Sequence, residues 1–178
     1  MPFTPFHFGP GLALKGITRH YFSWSAFAAA QVFIDCETLY HFLRHEDPFH
    51  RFFHSFLGGA TAGLMTSILL LLFVRAIGRM WPKSISLFSR SVPYLTSEFA
   101  AGAVFVGGLA GGLSHPLLDG IVHRDVRPFM PFSDYNPFLH LISSRMLESA
   151  CLIAAFLGIL MLAWDDTTFK PAGQNAKN

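Results

Sequence analysis

Histidine and aspartate dominate the chemistry this sequence can offer. Eight of its nine histidines (His7, His41, His45, His50, His54, His115, His123 and His140), all but His20, fall where the apolar segments of the chain meet at one end. Asp35, Glu37, Glu46, Asp47, Asp119 and Asp125 accompany them. Imidazole and carboxylate are side chains that bind divalent transition metals, and ionisable groups are costly to hold near hydrocarbon. The pattern predicts a metal site built into a membrane protein.

Spacing singles out some of these residues. His115 and Asp119 lie four apart in SHPLLDG, so on a helix they share a face, with Pro116 between them as a source of disturbance. Both stand inside or at the rim of an apolar run, where an ionisable residue is a functional candidate; the plainer alternative is a private contact that ties down a helix end. His50 and His54 repeat the spacing in HRFFHS, immediately before the most apolar stretch. His54 borders that stretch and joins the site, while His50 is evenly balanced between site and surface. His41 and His45 read as surface residues. Asp35 closes an apolar run and is followed by Cys36 and Glu37. A carboxylate there can ligate metal, orient an imidazole or cap the next helix. Arg51, Arg124 and Arg127 can hold a phosphate group or anchor the chain at lipid headgroups, the commoner role. Ser55 and Ser114 lie in no GxSxG elbow, so a serine nucleophile is a poor alternative.

The elements that must position these residues are apolar. Hydrophobic residues make up 52% of the 178, charged residues 13%, and mean hydropathy is +0.41. Soluble domains carry roughly a quarter charged residues, so this is a membrane composition. A net charge of +2 with no basic run excludes nucleic acid as a partner. Phe56 to Val74 contains no charged residue; Phe99 to about Val122 and Met146 to Trp164 are further candidate spans, against the roughly 20 residues a helix needs to cross. Gly9 to Ile17 and Trp24 to Ile34 are too short to cross and are expected to form a helical hairpin that brings His7 beside Asp35. The alternative, one span over residues 21–43, would strand His7 on the opposite face. Without a basic stretch before its first apolar residues, the start does not read as a cleaved signal. Cys36 and Cys151 show no CxxC spacing and require no bridge.

Gly59 and Gly63, Gly107 and Gly111, and Gly108 and Gly112 are each spaced by four, making smooth strips for close helix packing. No strand precedes them and no GK[ST] follows, so they do not form a phosphate loop. The segment from His123 to Phe138, rich in proline and phenylalanine, reads as an interfacial loop folded over the site. The expectation is one all-α membrane domain over residues 1–170, with about five hydrophobic helical segments and a polar tail at 171–178. Arg44, Arg51, Arg124, Arg127 and Arg145 lie on the histidine face, and Lys15, Arg19, Arg75, Arg79, Lys83, Arg90, Lys170 and Lys177 on the other, which points the histidines outward.

His7, Asp35, HRFFHS and SHPLLD, with the trailing stretch Pro128 to Phe138, resemble the bacterial membrane-bound, metal-dependent hydrolase family typified by YdjM-like inner-membrane proteins. The resemblance covers most of residues 1–140, with FIDCE standing where that family carries PDxD. It implies a helical protein of the bacterial inner membrane with a metal site and hydrolase activity. The residues then expected to bind metal are His7, Asp35, His50, His54, His115 and Asp119, with Asp35 and Asp119 also catalytic. Imidazole-rich ligation favours zinc, with manganese and iron as alternatives. A site at the lipid–water boundary suits a phospholipid or another amphipathic phosphoester or ester. A structural metal site or an ion transporter would be the non-enzymatic alternatives.

Overall fold

The computed structural model describes residues 5–81 and 97–168, and among these residues it is all helical. A 3-10 turn at Pro5–His7 leads into α1 (Phe8–Thr18), and a second at Arg19–Tyr21 leads into α2 (Trp24–Leu43). A third at Phe52–His54 precedes α3 (Phe56–Met80), followed by α4 (Ala101–Val122) and α5 (Ser144–Thr168). The expected hairpin is α1 and α2. α2 runs on well past Ile34, so Asp35 lies within a helix, neither ending one nor capping the next.

Local chemistry explains the helix starts. The hydroxyl of Ser23 accepts from the amide of Ala26 at 3.1 Å, and that of Ser55 accepts from Gly58 at 3.0 Å. Each satisfies a donor that the first helical turn leaves open. Ser55 is thus a helix cap, not a nucleophile.

Phe56–Met80, Ala101–Val122 and Ser144–Trp164 are each long and apolar enough to cross a membrane. The fold is that of a polytopic helical membrane protein, and its apolar surface is where lipid belongs: Leu69, Leu72 and Phe73 on α3 and Ile153, Phe156 and Trp164 on α5 are exposed. The glycine strips do what their spacing implies. A Cβ at Gly59 would collide with the carbonyl of Gly112, and one at Gly63 with that of Gly108, so α3 and α4 meet backbone to backbone. Pro116 stays within α4.

At the end away from the histidines, Lys15 is buried. It donates to the carbonyl of Phe22 at 2.6 Å and to Glu98, whose other carboxylate oxygen accepts from the Ser25 amide at 2.7 Å and the Ser23 hydroxyl at 3.1 Å. The Ser23 amide also donates to Ala103, tying the start of α2 to the start of α4. His20 meets Ser97 at 3.0 Å on this side. α5 packs along α1 and scarcely touches α4. The chain's two cysteines are free, Cys36 exposed and Cys151 buried. The polar tail, and Lys83, Arg90, Lys170 and Lys177 of the orientation argument, lie outside the described residues.

Candidate metal centre

Two helices and the turns that precede two others deliver side chains to one end of the bundle. α4 presents His115 and Asp119 one turn apart, α2 presents Asp35, and the turn before α3 presents His54. Each of the four offers a ligand atom within 4.8 Å of the others, and all four are buried. The His115 Nε2 atom is 3.1 Å from Asp119 Oδ2 and 3.5 Å from Asp35 Oδ1; His54 Nε2 is 3.4 Å from Asp119 Oδ2. His7, at the mouth of α1, brings its Nε2 to 3.4 Å from Asp119 Oδ1 and its ring to 4.9 Å from that of His115. Its placement follows from the α1–α2 hairpin.

The tautomers are set by outer partners. His115 Nδ1 faces Gln31 Oε1, an atom that can only accept, so Nδ1 carries the proton. Gln31 is itself fixed end for end, because its amide nitrogen donates to Ser114 Oγ at 3.1 Å while that hydroxyl donates to Gly111. In the neutral imidazole the Nε2 atom of His115 is then left as a bare lone pair. It is fully buried, has no hydrogen-bond partner, and points at two carboxylates. A lone pair facing carboxylate oxygens in a buried place is unfavourable unless a cation stands among them. His54 is arranged similarly: Nδ1 meets Glu37 Oε2 at 3.2 Å, leaving Nε2 beside Asp119 and, at 3.2 Å, Thr38 Oγ1. A carboxylate or amide oxygen behind a ligand imidazole is the usual support of a metal-binding histidine. The donor set fits a borderline divalent cation.

Electrostatics points the same way. Burial works against protonation of His54, but Asp119 and Glu37 outweigh it and raise the imidazole to about 9. Burial dominates at His7 and His50 and lowers each to about 4, although Asp119 and Asp125 oppose it. Asp35, Glu37, Asp119 and Asp125 converge here, and among the described residues none of them pairs with a lysine or arginine.

The remaining candidates separate clearly. His50 lies beside the buried group, its Nδ1 2.8 Å from Asp125 Oδ2 and its ring 4.7 Å from that of His54. His41 is turned away to Glu46 at 2.9 Å, and His45 and His140 are exposed. Arg51 is engaged by the Pro48 carbonyl at 3.1 Å and Arg127 by Asp134 at 3.0 Å, so neither is aimed at the site. The loop after α4 folds back over the bundle end: Asn136 donates to the Gly120 carbonyl at 2.8 Å, and the Phe56 amide donates to Pro128 at 2.8 Å.

A cavity of about 330 Å³ reaches the centre from the flank where α5 stands off from α4. Phe6, Val122, Leu147 and Cys151 line it together with His7, Asp119 and His123. Sequence reasoning passed over Gln31 and Thr38. The signal was present, since Gln31, Asp35 and Thr38 follow one another by four and three and so mark one helix face. No family model matches the chain, and neither does any curated protein or solved structure.

Proposed function

We propose that this protein is a membrane-bound, metal-dependent hydrolase that cleaves a lipid-like phosphoester or ester at the membrane interface. One observation carries the reading: the buried, unpartnered Nε2 of His115 faces Asp35 and Asp119, and Asp119 in turn lines a mainly apolar cavity. His54, His115 and Asp119 would hold the cation, with Asp35 beside it and His7 against the second oxygen of Asp119. A divalent cation bound there supplies Lewis acidity and makes hydroxide available near neutral pH.

The protein's own groups divide the remaining work. Asp119 has imidazoles on both oxygens, His54 and His115 on one and His7 and His123 on the other, so its lone pairs are committed. Asp35 makes an ion-pair contact with His115 alone among the described residues and is the freer carboxylate. It takes the proton from the attacking water and returns it to the leaving oxygen as the scissile bond breaks. Phe6, Val122 and Leu147 keep bulk water from that exchange and receive the apolar part of the substrate. The resemblance of SHPLLD and HRFFHS to the YdjM-like hydrolases supports the same reaction class.

The test is a screen of metal-loaded, detergent-purified protein against phosphoester, ester and amide substrates carrying acyl chains. Wild type should turn over at least one of the first two, and Asp35→Asn should keep its metal but lose about 10²–10⁴ in rate. Metal-loaded protein inert toward all three classes would leave a structural metal site as the better account.

A further inference from the structure

We infer that a second divalent cation binds beside the buried one, held by His50, His123 and Asp125. This rests on reading the buried group as a metal centre. The three residues each offer a ligand atom within 4.8 Å of the other two, in a group separate from Asp35, His54, His115 and Asp119. They come from different parts of the chain: His50 from the connection after α2, His123 from the end of α4, and Asp125 from the loop beyond it.

The two groups are contiguous. The rings of His54, His50 and His123 follow one another at centroid distances of 4.7 and 4.5 Å, a line of imidazoles leading out from the buried group. Asp119 spans both. Its Oδ2 atom faces His54 and His115, whereas Oδ1 turns the other way, 3.4 Å from His7 and 3.9 Å from His123. A carboxylate with each oxygen among different imidazoles is placed to bridge two cations. Asp125 adds a further negative charge, paired with His50 and with no lysine or arginine against it among the described residues. His123 and Asp119 both line the cavity, so this second position meets incoming substrate.

A pair of cations narrows the chemistry of the proposed reaction. Two-metal sites charge-stabilise the attacking and the leaving oxygen of an in-line displacement together, which is the demand made by a phosphoester. The substrate class that follows is an amphipathic phosphate mono- or diester, with its phosphate between the two positions and its hydrocarbon in the cavity. Water adds to phosphorus, the bond from phosphorus to the leaving oxygen breaks, and the proton taken from water passes to that oxygen.

The test uses the full untagged chain in detergent, stripped with a chelator and reloaded with Mn²⁺, read by elemental analysis and electron paramagnetic resonance. Wild type should take up two equivalents and show a spin-coupled spectrum. Asp125→Asn and His123→Gln should each retain one equivalent with the spectrum of an isolated ion, while eluting from size exclusion as wild type does. His50→Gln provides the same readout should either of those variants aggregate. A single equivalent in wild type, or two in the His123→Gln/Asp125→Asn double variant, overturns the second site and leaves the buried centre standing. No bound Mn²⁺ or Zn²⁺ at all overturns both.

Discussion

Gln31 holds His115 from behind: its side-chain oxygen faces Nδ1 of that imidazole, and its nitrogen is committed to Ser114. The contact joins α2 to α4 across 84 positions of sequence. Removing the acceptor releases the tautomer that keeps Nε2 free for a cation. Gln31→Leu should therefore weaken zinc binding by about 10–100-fold, the usual effect of losing such a partner. Gln31→Glu, which keeps an acceptor in place, should restore most of it. Competition against a chromophoric chelator measures both, with His41→Ala and His45→Ala as controls that should match wild type. Equal affinities for wild type and Gln31→Leu would refute the positioning role.

Metal affinity should depend on pH through His54. Its pKa is raised to about 9, so below that pH the imidazole holds a proton that a cation must displace. Affinity should rise about tenfold per pH unit between pH 7 and 9 as His54 gives up its proton and level off above; towards pH 6 Asp35, raised to about 6 by burial, adds to the dependence. His7 and His50, lowered to about 4, are already neutral in that range and add no slope. Titrations at fixed ionic strength test this, and a flat profile from pH 7 to 9 contradicts it.

The α3–α4 contact should tolerate no side chain at its closest points. Gly59→Ala places a methyl group against the Gly112 carbonyl, where neither backbone can yield locally. The expected cost is about 1–3 kcal/mol, seen as a lower melting temperature in detergent. Gly102→Ala is the control, because nothing lies within 4 Å of the added atom. That substitution should be neutral or slightly stabilising, as alanine favours helix.

Glu98→Ala should destabilise the fold by about 3–5 kcal/mol, because it removes the buried carboxylate that pairs with Lys15 and accepts from the Ser23 hydroxyl and the Ser25 amide. Lys15→Met combined with Glu98→Gln should regain much of that loss, since it removes both buried charges and keeps an oxygen that accepts from the Ser25 amide. Thermal unfolding in detergent separates the two. Equal melting temperatures for Glu98→Ala and wild type would show that the pair is not needed.

The spanning helices were legible because few ionisable residues interrupt their hydropathy. Phe56 to Val74 carries no charge, and the helix built on it extends to Met80. α2 was legible only in its first half. Asp35 and Glu37 look like the end of an apolar run, yet the helix continues because each of those carboxylates is taken up by an imidazole from another element. His115 and Asp119 announce themselves by spacing alone. Gln31 and Thr38 do not, since their partners His115 and His54 come from other segments and only the shared helix face hints at them. The Lys15–Glu98 pair left no local trace, because its two halves lie 83 positions apart.

That separation sets an order of assembly. α1 is 11 residues long, about 16 Å, roughly half the hydrocarbon thickness of a bilayer. Its lysine would cost about 3 kcal/mol at that depth if it entered the membrane unaccompanied. The counter-charge on Glu98 and the main packing partner, α5, are both made later during synthesis. α1, made before both, is therefore the last of these helices to settle, and His7 arrives with it. Docking of α1 completes the centre, so a chain without α5 carries no finished site.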